Sequence, residues 1–276
     1  MKAKWLIEHE FCEDVTNLVK SCERLDYEYK ILSDNIHGDI DFSELYDERD
    51  CVIFYGSLQM GALVNKKAKW IPSIYSNVAE YACTKYYPIF DEFILNRTYS
   101  MMPYGQILSS EDWLYEHLGI HDTIFIRPDG GFKSFTGKAV ERRFFNKDVD
   151  YFGFYGIEPH ELCVIAEPRN VANEWRFLVV DNKIVAGSQY RPLQRGLRDP
   201  EPYDNAAFKY AEHVLSKVDY KPDNAWMLDI FRTKQGDYYV LEVGCFSCAG
   251  LYKMDTDMVV KYVSEQAEKD WRDFYD

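Results

Sequence analysis

A chain of 276 residues, 47% hydrophobic and 28% charged, carries enough apolar side chains for a full core, which excludes a disordered protein. Its formal net charge of −14 argues against nucleic acid as a partner, because that affinity rests on neutralising phosphates. No run of about 18 apolar residues is present, and the seven cysteines are scattered through apolar stretches, so we expect no membrane span, reduced thiols and a cytoplasmic location.

The pattern of the first part of the chain predicts a small α/β unit. Short strands are predicted over residues 5–7 and 29–32, with a helix over residues 11–25 between them. Cys51–Tyr55 is a continuous apolar run, which is typical of a buried parallel strand. The Gly56-Ser57 step that ends this run lies where such sheets often bind ligands.

A glycine-rich loop follows a predicted helix over residues 110–118 and a predicted strand over residues 123–127. Its glycines and its lysine are Gly130, Gly131, Gly137 and Lys133. Free backbone N–H groups and a lysine charge can hold an anion, although the spacing differs from that of a Walker A loop. An exposed hairpin is the alternative interpretation.

The remaining elements are a strand, two hairpins and two helices. The predicted ranges are 162–166 for the strand, 174–190 and 226–243 for the hairpins, and 206–218 and 255–274 for the helices. If residues 235 and 236 form the turn of the second hairpin, Asp229 stands directly opposite Glu242, with Cβ atoms about 5 Å apart.

Two facing carboxylates in apolar strands repel each other and lose hydration. A divalent cation offsets that cost, and Mg²⁺ commonly takes one or two carboxylates together with substrate phosphates. Asp229 and Glu242 are therefore candidate metal ligands. The alternative is a solvated pair of acids on the surface of the sheet.

Two arginines lie in apolar strands, where each needs an anionic partner. Arg127 ends the strand before the glycine loop, and Arg176 lies between two aromatic residues. A bound phosphate or carboxylate satisfies this pattern, and so does a structural salt bridge, for example from Arg176 to Glu174 or Glu167.

Cys245 and Cys248 have the two-residue spacing of zinc and redox sites. No second cysteine pair and no histidine set completes a zinc site, so we expect this turn to shape a substrate pocket beside the metal. Arg191, Arg195 and Arg198 form a basic run, which predicts either a solvated loop or a clamp for an anionic substrate.

The order of these features resembles the ATP-grasp superfamily. The resemblance covers residues 108–252 and looks most like a branch frequent in phage and bacterial genomes, with arginine in place of the first nucleotide-binding lysine. The segments that carry it are the strand ending in Arg127, the loop with Lys133, Val164-Ile165-Ala166-Glu167, Glu174-Trp175-Arg176, Leu228-Asp229, Leu241-Glu242-Val243-Gly244 and Ala249-Gly250-Leu251-Tyr252.

This resemblance implies an α/β (α+β) fold in three parts. A small Rossmann-like domain would cover residues 1–105. Two α+β subdomains would then clasp the nucleotide, one over residues 106–166 with the glycine-rich flap and one over residues 167–276 with the metal site.

The resemblance also implies an ATP- and Mg²⁺-dependent ligase, which joins a small-molecule or peptide carboxylate to an amine or similar nucleophile through an acyl phosphate and releases ADP and phosphate. A phage-encoded enzyme of this kind would act in the host cytoplasm. The implied catalytic and phosphate contacts are Arg127, Lys133 and Arg176. Further implied nucleotide contacts are Ile165, Ala166, Glu167 and Glu174, and the implied metal ligands are Asp229 and Glu242. Arg191, Arg195, Ser247 and Tyr252 are candidate substrate contacts beside these.

One position departs from the family pattern. An asparagine two residues after the glutamate is the usual third metal ligand, and here that position is Gly244. This departure keeps a second hypothesis open, in which the protein binds nucleotide as a regulatory or interaction module without ligating anything.

Overall fold

The computed structural model describes residues 1–9, 15–32, 40–132, 134–149, 157–191 and 205–276, apart from the side chains of Val171 and Arg191. These residues form two compact units. The first joins both ends of the chain, Met1–Asn77 and Ala172–Asp276, and the second is Val78–Val171. The predicted domain boundaries near residues 105 and 166 stay predictions.

A parallel sheet opens the first unit, with strand order β2-β1-β3-β4. Its strands and helices are β1 (Lys4–Glu8), α1 (Val15–Arg24), β2 (Glu28–Leu32), β3 (Cys51–Tyr55), α2 (Leu58–Lys67) and β4 (Ile71–Ser73). Every residue of β3 is buried, because β3 lies between two other strands and helices cover the sheet. The predicted buried parallel strand is confirmed.

The second unit contains an antiparallel sheet with strand order β5-β8-β6-β7. Its elements are α3 (Cys83–Phe90), β5 (Tyr99–Pro103), α4 (Tyr104–Ile107), α5 (Glu111–Leu118), β6 (Thr123–Pro128), β7 (Lys138–Glu141), α6 (Phe145–Val149) and β8 (Leu162–Ala166). Ile124, Ile126 and Ile165 pack with residues of α5 and α6 in one core. Since neighbouring residues of a strand face opposite ways, Arg127 lies on the other face of the sheet.

The chain returns to the first unit and forms a second antiparallel sheet there, with strand order β10-β9-β11-β12. These elements are β9 (Val171–Val180), β10 (Lys183–Arg191), α7 (Asn205–Lys217), β11 (Ala225–Thr233), β12 (Tyr238–Cys245) and α8 (Thr256–Tyr275). Short 3-10 turns elsewhere in the chain cover Phe42–Glu44, Asp91–Phe93, Leu108–Ser110 and Arg142–Phe144. Both predicted hairpins are confirmed, as is the α/β class.

One apolar core explains why the two ends of the chain form a single unit. Trp5 and Ile53 of the parallel sheet share this core with Leu178 and Met227 of the antiparallel sheet, and Val263 of α8 completes it.

None of the helices in the described ranges is both long and apolar enough to span a membrane.

The hairpin of β11 and β12 has the predicted pairing of Asp229 with Glu242, but its loop is one residue longer than predicted. Its loop contains three residues rather than two, since Thr233 N donates to Asp237 O at 2.9 Å and Gly236 has a φ of +101°. This shifts the register by one residue near the turn. A bulge at Leu241 shifts it back, so Asp229 still pairs with Glu242.

The carboxylate of Asp270 on α8 locks several parts of the first unit together. It accepts hydrogen bonds from Tyr75 Oη at 2.6 Å, Asn224 Nδ2 at 2.7 Å and Gln266 Nε2 at 2.7 Å. Burial, followed by the charge of Asp270, raises the pKa of Tyr75 well above its ordinary value, so its phenol remains a donor.

We expect Asp270→Ala to lower the free energy of unfolding by about 2 kcal/mol, because a buried hydroxyl and two amides lose their acceptor. Urea denaturation measures this change. The matched control is Asp273→Ala, which removes an exposed acid from the same helix and should change the stability by less than about 0.5 kcal/mol. Equal effects of the two substitutions would contradict a locking role for Asp270.

Candidate functional site

A buried ion pair lies at the centre of the antiparallel sheet of the first unit. Arg176 on β9 donates from Nε to Asp229 Oδ1 and from Nη2 to Asp229 Oδ2, both at 2.8 Å. Its third nitrogen, Nη1, donates to Gly250 O at 3.2 Å. The two side chains are only 14% and 4% exposed, so this bidentate pair is held away from water.

Arg176 keeps its charge despite its burial. Burial lowers the pKa of the Arg176 guanidinium, but the adjacent Asp229 carboxylate more than offsets this and raises it well above the ordinary value. The structural salt bridge considered for Arg176 is therefore present. Its partner is Asp229, the predicted metal ligand, and not Glu174 or Glu167.

Two tyrosines that the sequence did not single out as a pair surround this arginine. Tyr190 and Tyr252 stack with ring centroids 5.0 Å apart and an interplanar angle of 12°. The Arg176 guanidinium carbon lies 5.5 and 5.4 Å from their centroids, within cation–π range. Tyr252 is 40% exposed, so the stack opens to the surface.

Tyr190 also fixes the carboxylate of Asp229, because its hydroxyl donates to Asp229 Oδ2 at 3.1 Å. Burial and the charge of Asp229 raise the pKa of Tyr190 well above its ordinary value, so the hydroxyl stays protonated. The alternation of β10 could have placed Tyr190 on this face from sequence, but its partner lies two strands away.

Three acids share this face of the sheet with Arg176. Glu174 is 6% exposed and interacts with Tyr190, and Glu242 is half-buried opposite Asp229. Arg191 pairs with Glu174 along the backbone, but its side chain lies outside the described residues.

These residues fit a magnesium ion that is completed by other ligands. In the described parts of the chain, no group of three or more His, Cys, Asp or Glu side chains is placed to hold a metal. Asp229 accepts three hydrogen bonds, which leaves about one of its lone-pair positions, and Glu242 adds a second carboxylate. Two carboxylates with phosphate oxygens and water match the usual Mg²⁺ set.

Gly244 borders this carboxylate pair and leaves room beside it. A Cβ atom built on Gly244 meets no heavy atom within 4 Å. An asparagine side chain at this position, as in the family pattern, would thus meet no steric barrier at its first atom.

In the second unit, the loop after β6 is anchored at its start. Asp129 Oδ1 accepts from Thr84 N at 2.7 Å, and the Asp129 carbonyl accepts from Cys83 N at 2.9 Å, which secures the first turn of α3. Gly131 passes so close to Tyr81 that a Cβ atom would lie 3.1 Å from it. The neighbouring Phe132 is 54% exposed, and Lys133 lies outside the described residues.

Arg127 is half-buried at the end of β6, beside the other end of this loop. A Cβ atom on Gly137 would lie 3.2 Å from the Arg127 side chain, so only a small residue fits there. Burial raises the pKa of Tyr87, and the positive charge of nearby Arg127 opposes that shift. Arg127 and the loop thus lie together, as the sequence predicts.

The predicted adenine-binding segment ends β8. Ile165 and Ala166 are paired on both sides, with β5 and β6, and their side chains are buried. Glu167 is the first residue beyond the ladder, and its carboxylate lies 2.9 Å from Arg169 Nη2. Backbone groups free to bind a base therefore begin at Glu167.

Ser247 does not fit its predicted role as a substrate contact. It is fully buried, its Oγ accepts from Tyr75 N at 3.0 Å, and its carbonyl accepts from Gly56 N at 2.9 Å. Ser247 therefore anchors two strand ends of the parallel sheet. The side chain of Arg191 and all of Arg195 lie outside the described residues.

A family model described as "ATP-grasp domain, R2K clade family 2" matches residues 110–262, more than half of the chain. This protein belongs to the ATP-grasp family, in its R2K clade. No curated protein sequence matches this ATP-grasp protein.

Solved structures share the fold of this ATP-grasp protein over nearly its whole length. The D-cycloserine synthetase DcsG matches with a TM-score of 0.63 and 11% identity, over 96% of this chain and 99% of its own. D-alanine–D-alanine ligase from Bacillus anthracis matches with a TM-score of 0.59 and 13% identity, over 99% of each chain. The ATP-grasp ligase PsnB, complexed with a minimal precursor, matches with a TM-score of 0.58 and 10% identity, over 96% of this chain and all of its own.

The ion pair predicts different consequences for the two facing acids. Asp229→Asn leaves the buried Arg176 without its countercharge and should lower the free energy of unfolding by about 3 kcal/mol. Glu242→Gln, on the half-buried partner, should change it by less than about 1 kcal/mol. Denaturant unfolding of both variants tests this, and equal stability losses would contradict the unequal burial of the two charges.

Proposed function

We propose that this ATP-grasp protein is an ATP- and Mg²⁺-dependent ligase that joins a carboxylate to an amine or similar nucleophile through an acyl phosphate. ADP and phosphate are the expected products. The main support for the proposal is that Arg176, Asp229 and Glu242 lie together on one face of a sheet. Structures similar to this chain are described as ligases, and PsnB is described in a complex with Mg and ADP.

Magnesium would be held by Asp229 and Glu242, and when bound it would neutralise phosphate charge. Arg176 supplies a fixed positive charge next to this position, because Nε and Nη2 donate hydrogen bonds to Asp229 and Nη1 donates one to the carbonyl of Gly250. A preorganised cation of this kind stabilises developing negative charge without reorganising during the reaction. Arg127 and Lys133 are proposed to contact the phosphates as well.

Nucleotide and substrate contacts follow from the same proposal. The backbone that follows Ile165 and Ala166, beginning at Glu167, would bind adenine, and Glu174 would add a further nucleotide contact. The exposed ring of Tyr252 would pack against the acyl-acceptor or acyl-donor substrate, and the basic residues Arg191 and Arg195 would hold a carboxylate. The proposed substrates are small molecules or peptides, and PsnB is described in a complex with a precursor peptide.

A second candidate is a nucleotide-binding module without ligase turnover. Two observations favour it: Gly244 replaces the asparagine of the family pattern, and the Asp229 carboxylate is already shared by Arg176 and Tyr190. The site could bind a nucleotide without catalysing a reaction, because only catalysis needs interactions that strengthen in the transition state.

Incubation with Mg-ATP and a mixed pool of carboxylates and amines should release ADP and phosphate continuously. The expected result separates the two candidates, because a binding module gives a Mg-ATP-dependent rise in melting temperature but no ADP. Chromatography of the nucleotides provides the measurement. Release of AMP and pyrophosphate would contradict acyl-phosphate chemistry.

Gly244→Asn should strengthen Mg²⁺ binding in the presence of ATP, because it adds an oxygen ligand where the backbone leaves space. We expect about a tenfold fall in the Mg²⁺ concentration at half-saturation, equivalent to ~1.4 kcal/mol. Gly244→Ala is the matched control, since it adds a Cβ atom without an oxygen. Metal titrations followed by thermal shift should separate the two variants, and identical curves would place the metal away from Gly244.

A further inference from the structure

The cysteine pair at the end of β12 differs from the other described cysteines. Cys22, Cys51, Cys83 and Cys163 are buried, and burial raises the pKa of Cys22, Cys51 and Cys163 to about 12, which disfavours the thiolate that attacks a peroxide. Cys245 and Cys248 are instead half-buried, so small solutes can reach them.

The two sulfur atoms already interact. The side chains of Cys245 and Cys248 interact, and the Cys248 thiol donates its proton to the Ser57 carbonyl oxygen, with Sγ and the oxygen 3.7 Å apart. In the described parts of the chain, no third His, Cys, Asp or Glu joins them in a metal-binding group. The two cysteines are thus placed for reaction with each other.

The turn between the cysteines is held rigidly. Phe246 is fully buried against Trp5 and Tyr55, with ring centroids 6.3 and 5.8 Å away, and Ser247 is anchored to two strand ends. Ala249 N donates to Phe246 O at 3.2 Å and closes the turn. Fixed residues between the cysteines therefore keep both thiols on one side of a tight turn.

The two thiols have distinct chemical roles. The carbonyl oxygen of Ser57 holds the Cys248 proton, and the interaction with Cys245, followed by burial, raises the pKa of Cys248 well above its ordinary value. Cys248 is thereby kept as a thiol, which favours Cys245 as the attacking sulfur and Cys248 as the resolving one.

We propose that Cys245 and Cys248 form a reversible dithiol–disulfide site that reacts with hydroperoxides. The Cys245 thiolate attacks a peroxide oxygen, the O–O bond breaks, and Cys245 sulfenic acid forms while the departing oxygen takes a proton and leaves as water or an alcohol. The sulfur of Cys248 then attacks that of Cys245, which forms the S–S bond, and the hydroxyl leaves with the Cys248 proton as water. A dithiol reductant restores both thiols and is itself oxidised to a disulfide.

Oxidation is expected to reach the neighbouring carboxylate–arginine cluster through the backbone. Cys245 directly follows Gly244, and the same segment continues to Gly250, whose carbonyl accepts from Arg176. Bond formation brings the sulfurs to about 2 Å apart and so moves their Cβ atoms and the flanking backbone. This consequence for Mg-ATP binding rests on the proposed function, whereas the disulfide itself does not.

Peptide mapping by mass spectrometry after mild treatment of the folded protein with hydrogen peroxide tests the disulfide. The expected product is a Cys245–Cys248 link, seen as the loss of two hydrogen atoms and reversed by dithiothreitol. In Cys248→Ser, dimedone should label Cys245 as the trapped sulfenic acid, whereas Cys248 in Cys245→Ser should stay unlabelled. Cys163→Ala is the control and should form the link like the parent.

Failure of the parent to form this link, or preferential labelling of Cys248, would overturn the proposal, and the parent measurement stands even if a variant does not fold.

Thermal shift with Mg-ATP before and after oxidation tests the coupling between the disulfide and Mg-ATP binding. We expect the shift to change at least twofold in the parent and to be unaffected by peroxide in Cys245→Ser. A link that forms without altering the Mg-ATP shift overturns the coupling alone, and a parent with no Mg-ATP shift before oxidation overturns the proposed nucleotide site instead.

Discussion

The buried ion pair between Arg176 and Asp229 is the interaction on which the candidate site depends. Two charges taken out of water are costly unless geometry and additional hydrogen bonds compensate, and here both carboxylate oxygens and all three guanidinium nitrogens have partners. A buried pair of this kind adds little stability by itself. It does fix where each group lies, and so the orientation of Asp229 follows from Arg176, Tyr190 and the carbonyl of Gly250.

The segment after β12 connects that pair to the rest of the first unit. Gly244 leaves open space, the side chains of Cys245 and Cys248 interact, and Ser247 anchors the strand ends of the parallel sheet. A few residues therefore include the position next to the proposed metal ligands, the proposed dithiol site and a structural anchor. The proposed effect of oxidation on Mg-ATP binding depends on the short backbone between these positions.

The sequence was sufficient for some features and insufficient for others. The apolar run of β3 and the two hairpins were predictable, because strand periodicity and turn residues are local signals. The pairing of Asp229 with Glu242 was predicted correctly from a wrong turn length, since the bulge at Leu241 compensates the longer loop. Bulges leave little trace in a single sequence, so this compensation was not predictable.

Long-range contacts account for most of what the sequence did not provide. Arg176 pairs with Asp229 and not with Glu174 because β9 lies beside β11. The hydrophobic periodicity of each strand does not reveal which strands are neighbours. Tyr190 acts across two strands, and Ser247 is buried by the parallel sheet from the far end of the chain. The local sequence pattern likewise does not show that the two ends of the chain join in one compact unit.

A crystal structure with a non-hydrolysable ATP analogue, and with Mn²⁺ in place of Mg²⁺, would test the proposed metal site directly. We expect an anomalous manganese peak within coordination distance of carboxylate oxygens of both Asp229 and Glu242, with phosphate oxygens completing its ligands. A manganese peak at other residues, with neither carboxylate bound to metal, would contradict it.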